Sequence, residues 1–209
     1  MNTPCQLCGK RRAKRFCPGV HGDICPQCCG TERENTVDCP LDCVHLQEAR
    51  RHERPVAIDA ANLPNADIRV TEDFVERHGE LVAYVAAALA VAVAKAGGVD
   101  NDTREALDAL IRTYRTRQSG LIYDTRPQNP YAARILEHLE KSVSEMREAL
   151  AKETGLHTMR DGEILGALVF LQRLELQHNN GRRRGRAFAS FLSTWFPAET
   201  PAAAPAILS

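Results

Sequence analysis

The chain has 209 residues, and 27 Lys and Arg balance 27 Asp and Glu, so its formal net charge is zero at neutral pH. That length fits one ordinary domain plus a small one, and a balanced charge by itself marks neither a nucleic-acid nor a membrane partner. All eight cysteines lie between Cys5 and Cys43, which turns the reading toward metal chemistry.

Residues 1–45 hold those cysteines but few large apolar side chains, too few for a core of their own. A segment this small takes its folding energy from bound metal, because binding free energy becomes folding free energy. Residues 46–54 read as a short helix that Pro55 stops, and 55–70 as an irregular linker. Thr71 is placed to cap a helix running to Ala96 and ended by Gly97-Gly98. The apolar run Leu81–Ala94 inside it has 14 residues, half of them alanine, too short to span a bilayer. Asp102 and Glu105 have capping-box spacing before the next helix, which carries Leu107, Leu110, Ile111 and Tyr114. In the loop that follows, Leu121, Ile122 and Tyr123 are expected to tuck against the helices. Ala132, Leu136, Leu139, Val143, Met146 and Leu150 alternate spacings of four and three, one apolar seam of a long helix that Gly155 ends. Thr158 and Asp161 are placed to start another helix, with Ile164, Leu165, Leu168, Val169 and Leu171. In a last short helix, Phe188, Phe191, Leu192, Trp195 and Phe196 read as core. The fold class is mostly α: a small binuclear zinc-finger module (1–45), a short helix and linker (46–70), a four- to five-helix bundle (71–197) and a disordered tail (198–209).

The cysteine spacing carries the chemistry. Cys5-x2-Cys8 and Cys25-x2-Cys28 are separated by 16 residues, within the window of zinc-ribbon sites. Each x2 turn converges two thiolates on one edge of a tetrahedron. Cys17, Cys29, Cys39 and Cys43 remain and make a second four-thiolate set, interleaved with the first. Cys28 and Cys29 are neighbours, and in extended backbone their side chains diverge to opposite faces, one for each site. His21 and His45 lie within ligand spacing of Cys17 and Cys43, as possible substitutes in the second site. A disulfide framework is the rival; no apolar signal segment precedes Cys5, so a reducing, cytoplasmic location is expected and metal is preferred. Two zinc ions are the expected cofactors. Two closed four-ligand sites leave no position for a reacting water, so they read as structural and the chain as non-enzymatic.

Two basic clusters stand out. Lys10, Arg11, Arg12, Lys14 and Arg15 run between ligands Cys8 and Cys17, where they balance thiolate charge or contact nucleic acid. Arg182, Arg183, Arg184 and Arg186 fall in a turn between the last two helices, where they would grip phosphates or an acidic partner. Protein binding leads as the expected function; RNA or DNA binding through the two clusters is the alternative.

The stretch Cys25-Pro-Gln-Cys-Cys-Gly-Thr through Cys39-Pro-Leu-Asp-Cys43, with Asp161-Gly-Glu-Ile-Leu-Gly-Ala-Leu-Val-Phe-Leu-Gln-Arg and the later Arg186-Ala-Phe, resembles an uncharacterised bacterial family over most of the chain. That resemblance implies no activity. The ligand order is also loosely similar to HIT and MYND fingers, interleaved binuclear modules that mainly bind proteins; the histidine and cysteine that end those fingers have no clear match here.

Overall fold

The computed structural model describes residues 3–121, 123–154 and 159–197. Ile122, the Gly155 stop, the Thr158 cap and the 198–209 tail lie outside the described residues.

The cysteine-rich part is built on very little regular structure. Strands β1 (Arg15–Cys17) and β2 (Gly22–Ile24) pair antiparallel, with Phe16 opposite Asp23. Helix α1 (Pro26–Glu32) follows with proline in its first turn, where a missing N–H costs nothing, and the Cys25 sulfur accepts from the Cys28 N–H. Helix α2 runs Val44–Arg50, two residues earlier at its start than its apolar pattern suggests. Ile24, Val37 and Leu46 are buried among the cysteines. Three large side chains are a thin core for so many residues.

The linker is irregular, with one short 3-10 turn at Ala60–Asn62, yet it is tied down. Arg173 donates to the Asn65 and Ile68 carbonyls at 3.0 Å each, and the Val56 N–H bonds the Gln177 carbonyl at 2.8 Å.

The expected helix from Thr71 to Ala96 is two helices. Thr71 does cap α3 (Glu72–Arg77) by accepting the Phe74 N–H. The backbone then breaks at His78 before α4 (Gly79–Ala96), where glycine offers weak local helix propensity. Gly97, at φ 67°, ends α4 in the left-handed conformation that glycine adopts without penalty. Helix α4 is therefore 18 residues long, longer than its apolar run, and it is the one helix among the described residues long and apolar enough to cross a membrane. Val85, Ala86 and Leu89 along it are fully buried in the protein core. Helix α5 (Asp100–Gln118) starts earlier than Asp102: Asp102 sits in its first turn and accepts the Val99 N–H at 2.9 Å. Helices α6 (Pro130–Thr154), α7 (Asp161–His178) and α8 (Ala187–Trp195) complete the packing. Ala132, Leu136, Leu139 and Val143 line one buried face of α6, as the seam predicts, joined by Ile135.

Two apolar expectations fail. Leu121 and Tyr123 are 62% and 68% exposed, so they do not tuck inward. Phe188 and Leu192 of α8 are fully buried, but Trp195 is 70% exposed. Trp195 shares the Phe188 face, seven residues on, but it is the last residue of α8 and stands a turn beyond Leu192, the last fully buried residue of the helix.

Candidate metal centre

Four sulfurs converge at one point. The Sγ atoms of Cys5, Cys8, Cys25 and Cys28 all lie within 4.8 Å of one another. Sulfurs at the corners of a tetrahedron around zinc stand about 3.8 Å apart, given a metal–sulfur bond of about 2.3 Å, so the donor set fits one such ion. Two tight turns deliver it. The Cys5–Cys8 turn closes through a 2.7 Å bond from the Gly9 N–H to the Cys5 carbonyl, Gly9 taking φ 63°. The Cys25–Cys28 pair sits on the first turn of α1.

The site is charged for a cation. Burial would push the Cys5 thiol up, but N–H groups of Cys25, Cys8 and Leu7 donate to its sulfur and bring it down to about 6; the Cys25 N–H lies 3.1 Å away. Backbone N–H groups of Lys10 and Arg11 lower Cys8 likewise. Cys28 is pushed up to about 12, first by sharing its proton with Cys25 and then by burial. Four crowded sulfurs cannot all ionise beside one another, and a divalent cation is what lets them.

The other four cysteines also share a space. Cys17, Cys29, Cys39 and Cys43 line one small cavity together with His45, Arg15 and Arg33. Its volume is about 10 Å³, room for one ion or one water and nothing larger. Among the described residues only the first set meets the tighter convergence. Arg15 and Arg33 approach the Cys29 sulfur at 3.7 and 3.9 Å. His45 is held neutral by burial and by the charges of Arg15 and Arg33, which leaves one ring nitrogen with a lone pair to offer a metal. His21 is exposed, with a left-handed backbone at φ 55°, and does not line the cavity. Cys28 and Cys29 divide between the two sets, though not by the alternation of an extended strand. Both lie on α1, where neighbours diverge by about 100°.

The two basic clusters have different fates. Arg11 interacts with Cys25 and Arg15 with Cys29, so these two face sulfur. Lys10, Arg12 and Lys14 are exposed and make no ion pair among the described residues. In the second cluster, Arg182 Nη1 donates to the carbonyls of Gly30 and Arg33, and Arg186 Nη1 to the Asp38 carboxylate at 2.6 Å and the Cys39 carbonyl at 3.4 Å. These two guanidiniums hold the cysteine-rich part against the helices. Arg183 and Arg184 stay exposed.

The residue that sequence reasoning missed is Glu34. It is fully buried, with its backbone at φ 53°. Its carboxylate accepts from Arg50 at 2.7 Å, from Asn180 at 2.9 Å and from the Arg186 N–H at 2.9 Å, and its carbonyl accepts the Arg184 N–H at 2.7 Å. One side chain thus joins the module, α2 and the turn before α8. On the other side of that turn, Asp100 accepts the Phe188 and Ala189 N–H groups at 3.0 and 3.1 Å. Burial pushes Asp100 up to about 7 against the pull of those two donors.

No protein-family model, curated protein or solved structure matches the chain.

Proposed function

We propose that this is a non-catalytic, zinc-binding interaction protein. Its first zinc is held by Cys5, Cys8, Cys25 and Cys28, and a second by Cys17, Cys29, Cys39 and Cys43, with His45 as the substitute nearest to hand. The convergence of four sulfurs within 4.8 Å carries this reading, in a segment that buries only Ile24, Val37 and Leu46 besides cysteine among its larger apolar side chains. Four protein donors complete a tetrahedron and leave no open position, which is the arrangement of a structural ion rather than a catalytic one. The single-ion cavity among the other four thiols supports the second site. A protein partner in the cytoplasm is the reading for function, in line with the likeness to interleaved interaction fingers. The engagement of Arg182 and Arg186 with backbone carbonyls weakens nucleic-acid binding as the alternative, leaving Lys10, Arg12, Lys14, Arg183 and Arg184 to serve it. Oligonucleotide affinity that collapses between about 50 and 200 mM salt would restore that alternative.

Chelation of the full chain tests the metal role. Removing metal should abolish amide protection across residues 5–46 while α4 to α8 keep their helical circular dichroism. Unchanged protection after complete metal removal would overturn a structural role for the ions.

A further inference from the structure

The basic run before Cys17 divides between two faces of one extended segment. The Ala13 N–H donates to the Thr3 carbonyl at 2.9 Å and the Lys14 N–H to the Ile24 carbonyl at 3.0 Å, so neighbours on both sides hold the segment. Arg12 bridges Pro4, and β1 continues the line against β2. Side chains along a strand alternate between its faces. Ala13, Arg15 and Cys17 turn inward, with Arg15 reaching the Cys29 sulfur; Arg12, Lys14 and Phe16 turn outward and are exposed. Lys10, just before the segment, is exposed as well.

The outward row keeps an unbalanced positive charge. Arg15 is spent on sulfur, while Lys10, Arg12 and Lys14 make no ion pair among the described residues. Thr3 and Pro4 alongside carry no charge, and Asp23, exposed opposite Phe16, is the one acid on the adjoining strands. Phe16 ends the row with 62% of its surface exposed, an aromatic that the core does not use. Alternate residues of a strand stand about 6.7 Å apart. An extended peptide has the same period, so carboxylates on its alternate residues fall opposite the cations and an apolar residue falls on Phe16. A nucleic acid carries a phosphate on every nucleotide, so a base stacked on Phe16 would bring its phosphate to Asp23. A peptide can leave that position uncharged, and this favours peptide.

We infer that the outward face of Arg12, Lys14 and Phe16, extended by Lys10, is the partner-binding surface, and that it takes an extended peptide with Asp or Glu at alternate positions and a large apolar residue at the end. The inference rests on the interaction-protein reading above.

Fluorescence anisotropy with the labelled peptide Leu-Ser-Glu-Ser-Glu-Ser-Glu-Ser-Leu tests it on the full chain, with zinc content and helical circular dichroism measured for every sample. Leucine at both ends serves either direction of binding. Arg12→Glu, Lys14→Glu and Lys10→Glu, the last outside the strand, should each weaken the peptide by about fivefold or more, since each reversal replaces an exposed attraction by a repulsion. Lys95→Glu, the same charge change at an exposed site on α4, should leave it within about twofold. Phe16→Ala should erase the gain that terminal leucine gives over terminal serine. The isomer Leu-Ser-Ser-Glu-Glu-Glu-Ser-Ser-Leu, with its charges adjacent, should bind less tightly. Equal binding of the two isomers, or equal loss in Lys95→Glu and the three strip variants, would overturn the surface. No binding by a chain that carries its metal refutes this surface and leaves the interaction reading to another one. An oligothymidylate of nine nucleotides that binds more tightly than the peptide refutes the protein-partner reading together with the surface.

Discussion

Replacing Glu34 by glutamine should cost about 3 kcal/mol of stability, and the figure follows from its neighbours. The carboxylate is fully buried and its partner Arg50 is 12% exposed, so the pair is shielded from water. Breaking a buried ion pair by neutralising one member costs about 3–5 kcal/mol. The slight exposure of Arg50 and the oxygen that glutamine retains pull the expectation to the lower end. Glutamine also presents an NH2 where three donors converge, from Arg50, Asn180 and Arg186, and one unsatisfied buried donor costs about 1–3 kcal/mol. The backbone adds an internal control. Because Glu34 sits at φ 53°, Glu34→Gly should be more stable than Glu34→Ala by about 1 kcal/mol, the left-handed penalty that glycine escapes. Urea unfolding followed by far-ultraviolet circular dichroism and by Trp195 fluorescence gives both differences. A Glu34→Gln variant within about 0.5 kcal/mol of wild type, below the range for such a pair, would refute the view that Glu34 clamps the two parts.

Asp100 should make stability depend on pH. Its folded value of about 7 lies above the ordinary carboxylate value of about 4, so the folded state binds the extra proton and this contribution falls as pH rises from about 4 to about 7. The full effect is on the order of 4 kcal/mol, and Asp100→Asn should flatten that slope; comparing the two proteins at each pH cancels acid release of metal, and parallel profiles would contradict the assignment. Cys28→Ser and Cys29→Ser should each lose one ion, a different one. Alkylation mapped by mass spectrometry should open Cys5, Cys8 and Cys25 in the first variant and Cys17, Cys39 and Cys43 in the second; identical patterns would refute two separate sites. Leu139→Ala, at a fully buried position of α6, should cost about 2–5 kcal/mol in thermal or urea unfolding.

What was legible in the sequence was what short-range chemistry dictates. Each Cys-x2-Cys pair is made by a turn of a few residues, and the β1–β2 hairpin between them brings Cys5 and Cys8 to Cys25 and Cys28, so the spacing carries the geometry. The α6 seam reads out because a single helix face is buried along Ala132, Leu136, Leu139 and Val143. The start of α5 was not legible because apolar Val99 occupies the cap position and Asp102 satisfies its N–H from inside the helix. Glu34 was invisible for a different reason. Its partners Asn180 and Arg186 lie 146 and 152 residues away in sequence, and a lone glutamate in a polar segment gives no sign of burial. The same distance hid the use of Arg182 and Arg186. A run of arginines looks solvent-facing when the backbone carbonyls of Gly30, Arg33 and Cys39 that receive them are in another part of the chain.

The central claim is that the eight cysteines hold two structural zinc ions. Elemental analysis of the full chain, purified without added metal and quantified by amino-acid analysis, tests it most directly. The expected result is close to two zinc ions per chain. A ratio near one would contradict the second site, and bound iron or a metal-free, folded module would contradict the account as a whole.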